Sequence, residues 1–372
     1  MRKLLLSILA IAGLAACQND DSYSIDDFVG NDTLTISYNG STATVGALPY
    51  FVSVSTEGAH VTVNSFTSKY LVVSLSGTTT DGSLLVFSNK KYEIMLNGVT
   101  INNPKGPAIN NQCGKSLHIT LPAGTTSTLT DGNSYADAPL NASGEAIQQK
   151  AALFSEGQIH FMGQGTLNVE GNSRNGIASD DYINFEGGTI NVNVSASGTN
   201  GVKANDGVFI FDGKLTIDVK ADGARGIKND ARMEISGGTT TITTSGNSKI
   251  ETVDGIADTT SCAGIRCDSL MTMTAGTLSI VSTGEGGKGI NADGAIEFKG
   301  GKLDVQALGS EELSKPKGVK SLTGITLSGG TFHALSRKSK AIDNAENEKP
   351  NINGTPVSST LKLTKREVYV EF

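Results

Sequence analysis

The chain repeats itself about every 25 residues, and this recurrence limits the fold more than any other feature of the sequence. An apolar residue that follows a small one serves as anchor: Leu153, Ile177, Val202, Ile227, Ile265, Ile290, Val319 and Ile342, at spacings of 24, 25, 25, 38, 25, 29 and 23. Six residues beyond the first seven anchors stand Ile159, Ile183, Val208, Met233, Met271, Ile296 and Ile325, and two further on Phe161, Phe185, Ile210, Ile235, Met273, Phe298 and Leu327. Eleven residues beyond the anchor comes a glycine in six consecutive units: Gly188, Gly213, Gly238, Gly276, Gly301 and Gly330. A second alternating pair follows, as in Ile190 with Val192 and Leu303 with Val305.

Apolar residues two apart are the mark of a strand with one buried face. A helical reading fails, because helices need apolar positions three and four apart, and β-branched residues dominate here. Each unit therefore holds two or three short strands separated by sharp corners, with the glycine at a corner where positive φ is needed. Units of this size stack, each strand pairing in parallel with its counterpart in the next. The expected fold is all-β, a right-handed parallel β-helix with about 25 residues per coil. Phe161, Phe185 and Phe298 should share one internal column. The 38-residue spacing implies an insertion of 13 residues around "SGNSKIETVDGIADTTS". Composition agrees with a chain of strands and turns, with 45 Gly, 8 Pro and no Trp among 372 residues.

The ends divide the chain further. "MRKLLLSILAIAGLAAC" has two basic residues, an apolar run and small residues ending in cysteine, the pattern of a signal peptide over 1–16. The run is too short for a permanent transmembrane helix, which takes about 20 residues. Leu14-Ala15-Ala16-Cys17 resembles a bacterial lipobox, which implies a lipid on Cys17 and attachment to a membrane through it. The "QNDD" that follows is similar to the acidic signal that sends lipoproteins of Bacteroidota to the outer face of the outer membrane, so a cell-surface location is expected. Residues 17–30 read as an acidic tether, 31–81 as an N-terminal β cap, 82–355 as the β-helix and 356–372 as a closing edge strand. A net charge of −7 argues against nucleic acid as a partner. Of the remaining cysteines, Cys113, Cys262 and Cys267, at least one is unpaired; a Cys262–Cys267 bridge is possible, and the place of Cys267 in the repeat points to core packing. No Cys-x-x-Cys pair or histidine cluster supports zinc.

Chemistry concentrates just after the anchor. One residue on are Lys203, Lys228, Arg266 and Lys320; three on are Asp180, Asn205, Asp230, Asp268 and Asp293. Stacked strands are about 4.8 Å apart, and like charges at that distance repel by about 1 kcal/mol in water and about 3 kcal/mol at an effective dielectric near 20. The acidic column therefore wants cations. Either Lys and Arg beside it supply them and Asp and Asn act as turn formers, or neighbouring Asp oxygens hold calcium and the bases face a ligand's anionic groups. A long polar face suits an extended polymer, and polysaccharide is the natural candidate.

The runs "SLHITLPAGTTSTLTDGNSY" and "AIQQKAALFSEGQIHFMGQGTLNVEGNSRNGIASDDYINFEGGTINV" resemble the β-helical bacterial carbohydrate-binding proteins once catalogued as a domain of unknown function, over residues 34 to 345. The resemblance implies a fold related to the pectate lyases of polysaccharide lyase family nine. It also implies calcium binding, and binding without cleavage of acidic plant polysaccharide such as polygalacturonate or of cellulose-like glucan. Carried over, Asp180, Asp230, Asp268 and Asp293 are calcium candidates and Lys203, Lys228 and Arg266 are contacts for ligand carboxylates. Leu322 and Ala345 depart from the pattern where Asp is expected. A pectate-lyase-like enzyme, with Lys203 or Lys228 as base, and a structural or adhesive surface protein are the competing functions.

Overall fold

In a computed structural model, residues 30–253, 255–345 and 349–372 are described. The signal peptide, Cys17 and the acidic tether lie outside the described residues. Every regular element described is a strand. One coil shows the construction. Strand Asn175–Ser179 lies on one face, and strand Tyr182–Val194 runs along a second face, bends at Gly187 and Gly188, and continues along a third. Each segment pairs in parallel with the coils before and after it: Ile177 with Leu153 and Val202, Ile183 with Ile159 and Val208, Ile190 with Leu167 and Leu215. The first faces form a 12-stranded sheet, here the anchor sheet; the second and third join in a 21-stranded sheet because strands such as Gly207–Val219 turn the corner unbroken.

The anchors line the interior, with Leu153 to Val319 fully buried and Ile342 at 1% exposure. The next two columns, from Ile159 and from Phe161, are buried with them. Phe161 and Phe185 stack at 5.2 Å, whereas Phe298 meets Phe332 edge-on at 5.6 Å. The corner glycines adopt the left-handed conformation, with φ of 77° at Gly188 and 86° at Gly213, which a side chain would strain.

A second glycine column stands one residue before the anchor, and its cause is different. A Cβ on Gly226 would stand 2.3 Å from Ile242 Cγ2, and one on Gly289 would stand 1.9 Å from Val305 Cγ1. Gly176, Gly201 and Gly264 meet Val192, Ile217 and Ile280 in the same way. The small residue thus lets the third face close onto the first. Two residues after the anchor, a buried column of small polar side chains ties the corner. Ser179 Oγ donates to Gly157 O at 2.9 Å, Asn229 Nδ2 to Arg232 O at 2.7 Å, and Ser321 Oγ to Gly294 O at 2.8 Å.

Cys267 belongs to this column, fully buried with Sγ 3.2 Å from Ala231 O. Cys113, Cys262 and Cys267 are all free and buried, so the possible Cys262–Cys267 bridge is not formed. Cys262 instead lies against Ala221 O and Asn247 O, at 3.4 Å from each.

The parallel register begins ahead of residue 82. Strand Ala59–Ser65 pairs in parallel with Gly82–Ser88, and Asn31–Asn39 with Tyr70–Thr79. The antiparallel partners Thr42–Val45 and Val52–Glu57 lie at that end. At the other end Glu367–Glu371 runs antiparallel to Thr331–Ser336. The insertion is a two-stranded hairpin, Lys249–Val253 with Ile256–Thr260, that carries exposed Ile250 and Ile256.

Candidate binding face

The outer surface of the anchor sheet changes character along its length. In the first half the segment 131–150 folds over it. Asp131, 1% exposed, accepts from Tyr135 Oη at 2.8 Å, and Asn172 Nδ2 donates to its carbonyl at 2.8 Å. Beneath this segment Phe154, Ala151 and Ala178 form a small separate core. A groove of about 490 Å³ remains beside it, lined by His60, Asn110 and Asp137 among others.

From Val202 onward the face is charged. Lys203, Lys228 and Arg266 project from successive rungs, in register. All three face acids of the neighbouring column. Lys203 Nζ is 3.9 Å and Lys228 Nζ 3.1 Å from Asp230. Arg266 Nε is 2.7 Å from Asp268, and its two terminal nitrogens hold Asp293. Asp180 takes Lys150, at 2.6 and 2.7 Å to its two oxygens. From Lys203 to Arg266 the two columns read from the sequence are therefore partners of one another.

This arrangement does not fit calcium at Asp180, Asp230, Asp268 and Asp293. Calcium takes six to eight oxygen ligands, whereas each of these carboxylates addresses a lysine or arginine. Among the described residues no three His, Cys, Asp or Glu side chains gather to hold a metal. Nor do these four Asp side chains make the turn: the corner bonds come from the buried polar column two residues after the anchor.

Two residues before the anchor runs a column not read from the sequence: Arg225, Lys288, Lys317 and Lys340, with Lys288 in register with Lys317 and Lys317 with Lys340. The tripeptides Arg225-Gly226-Ile227, Lys288-Gly289-Ile290 and Lys317-Gly318-Val319 carry the signal, a base immediately before the small residue. Lys317 pairs with Asp343 at 3.1 Å. Lys288 is 9% exposed, and its ammonium donates to Ser314 Oγ at 3.3 Å. Burial, then the positive charges of Lys320, Arg225 and Lys317, pull Lys288 down to about 8. Burial likewise pulls Arg225 down from its ordinary value; its Nη1 donates to Gly223 O at 2.6 Å. Segment 308–316 is pinned beside them, because Glu285 Oε1 accepts the backbone N–H groups of Glu312, Leu313 and Ser314 at 2.9, 2.8 and 2.9 Å.

The adjoining face carries an aromatic strip. Phe209 and Phe211 lie nearly parallel, 7° apart at 6.4 Å, with Phe211 42% exposed and the Arg232 guanidinium 5.1 Å from the Phe209 ring.

A family model described as carbohydrate-binding domain-containing protein matches residues 57–228 and again 219–311. A carbohydrate-binding domain-containing protein of Acetivibrio thermocellus is 32% identical over 122 residues, 32% of this chain and 41% of that protein. The matched part is thus less than half of that relative's length. A solved polysaccharide lyase-like protein from C. thermocellum, a gadolinium derivative, is similar at 22% identity and a TM-score of 0.48, covering 76% of this chain and 98% of that one. With well over half of its length inside the family model, the chain belongs to the carbohydrate-binding domain-containing protein family.

Proposed function

We propose that the protein is a non-catalytic binder of extended acidic polysaccharide, of the polygalacturonate kind, anchored at the outer face of the outer membrane by a lipid on Cys17. The observation that carries this reading is the excess of cations along the outer anchor sheet. Lys203 and Lys228 share the single carboxylate of Asp230, and Lys320 has no ion-pair partner among the described residues. Rungs about 4.8 Å apart suit a polymer that offers a charge at regular intervals. Local fields of one sign also raise the concentration of oppositely charged ligand.

Cellulose-like glucan is the second reading, favoured by the parallel, partly exposed rings of Phe209 and Phe211. A lyase needs a base beside a metal that acidifies the proton α to a uronate carboxylate. Lys203 and Lys228, the sequence candidates for that base, are engaged with Asp230, which supports binding over cleavage. Incubation with polygalacturonate, with and without calcium, separates the readings. Co-sedimentation without unsaturated product supports the binder, and ultraviolet absorbance from unsaturated product assigns a lyase. Retention on cellulose alone moves the site to the aromatic strip, and no retention on either leaves a structural or adhesive role.

A further inference from the structure

On the outer anchor sheet most cations face acids, and a few are left over. Among the described residues Arg225, Lys288 and Lys320 form no ion pair, although Lys203, Lys228, Arg266 and Lys317 all do. The three converge. Arg225 and Lys288 occupy the same column, two rungs apart through Ala263, and Lys320 lies on the rung next to Lys288, opposite Asn291.

Lys288 is the telling member. It is 9% exposed, closed in by Ser314, which Ser261 holds through a 2.7 Å hydrogen bond. An ammonium removed from water is costly unless a counter-charge compensates it. Here the charges that act on it most strongly are positive: Lys320, Arg225 and Lys317. Glu285 is the negative charge that acts on Lys288, after these three in size, and forms no ion pair with it: one of its oxygens is taken by three backbone N–H groups and the other is buried without a hydrogen bond. Asp343 is shared by Lys317 and Lys340. Leucine or methionine would fill the Lys288 position with no such cost. A guanidinium and two ammonium groups, partly desolvated and set within four successive rungs, are the donors that hold an oxyanion by charge-assisted hydrogen bonds.

We infer that Arg225, Lys288 and Lys320 form an oxyanion-binding subsite, flanked by segment 308–316, that seats one carboxylate or sulfate group of a glycan lying on the anchor sheet. The glycan as source rests on the proposed function above; the affinity for an oxyanion does not.

Two arms test this. In the first, the melting temperature is followed as sulfate or free galacturonate replaces chloride at constant ionic strength. The protein melts higher with the oxyanion, and Lys288→Met and Lys320→Met abolish the rise. Lys288→Met itself melts no lower than the parent, because it removes an uncompensated buried charge, so the lost response is not unfolding. In the second arm, binding to polygalacturonate and to a sulfated glycan is measured. The better-bound polymer shows its dissociation constant raised about tenfold or more in both variants, the loss expected for a charged contact, while Lys302→Met, an exposed lysine on the third face, stays within about twofold. Equal oxyanion responses in parent and variants overturn the subsite, whatever the polymer does. A response lost in the variants, with no binding of either polymer by the parent, upholds the subsite and removes the acidic-glycan reading.

Discussion

Arg266 donates to Asp268 of its own coil and, through its terminal nitrogens, to Asp293 of the next, so one guanidinium joins two successive turns of the β-helix. The contact is partly exposed, with side-chain exposures of 21, 36 and 39% for Arg266, Asp268 and Asp293, and solvent screens it. Its significance is that it bridges, within the protein, two acids that stand one rung apart and offsets the repulsion between them.

Removing this guanidinium should therefore expose a latent cation preference. Arg266→Leu is expected to lower stability by about 1 kcal/mol in urea unfolding. It should also make the melting temperature rise with added calcium, because Asp268 and Asp293 then face each other without a counter-charge. The parent protein should melt at the same temperature with and without chelator. A clear loss of stability in chelator would return calcium to the acidic column.

The glycine before the anchor tests how tightly the faces close. Gly289→Ala places a methyl group 1.9 Å from Val305 Cγ1 and 2.5 Å from Gly318 O. Overpacking of this kind costs about 1–3 kcal/mol. Gly324→Ala, with nothing within 4 Å, should stay within about 0.5 kcal/mol of the parent. Denaturant midpoints of the two variants give the comparison directly.

Lys288 predicts a pH dependence with a definite sign. Its value falls from 10.5 to about 8 on folding, with Lys320, Arg225, Lys317 and Glu285 the charges that face it. Between those values the unfolded chain binds the extra proton, so this residue's contribution to stability increases as pH rises from about 8 to 10.5 and is unfavourable below. Oxyanion binding runs the other way and weakens as pH rises through about 8. Melting curves and binding isotherms across this range, with Lys288→Met as the flat reference, measure both slopes.

The three cysteines should be silent in the native protein. Burial pushes the thiols of Cys113, Cys262 and Cys267 up from their ordinary values, which keeps thiolate scarce. A disulfide-exchange reagent is expected to titrate none of them in native buffer and all of them in guanidinium. Reductant should leave the melting temperature unchanged.

The interior of this fold was legible because the requirement recurs. Ile177, Val202 and Ile227 must all point inward, and any polar residue in that column would be buried unpaired, so a period of about 25 residues survives in the sequence. The corner role of Gly188 was legible for the same reason, as φ is fixed by the turn. The glycine at 226 was read only as small, since its partner Ile242 comes from another face of the coil. The charged columns were legible, and their pairing stood as one of two readings; which acid each base reaches was not legible. Spacing places Asp293 on the rung after Arg266; it does not say that the guanidinium spans the two. Lys288 gives no signal in the polar corner after the anchor, because it precedes the anchor by two residues. The coil at Ala59–Ser65 lacks the signature because His60, not a small residue, precedes its buried Val61.

The reversal of chain direction at Glu367–Glu371 has a consequence for scale. A parallel stack has no intrinsic end, and each added coil offers the next an equivalent template. An antiparallel strand laid against Thr331–Ser336 withdraws that template on the third face. The length of the charged face is thus set by where the chain turns back. Duplicating one whole coil ahead of that point would lengthen that face by a single rung, about 4.8 Å, and leave every other rung unchanged.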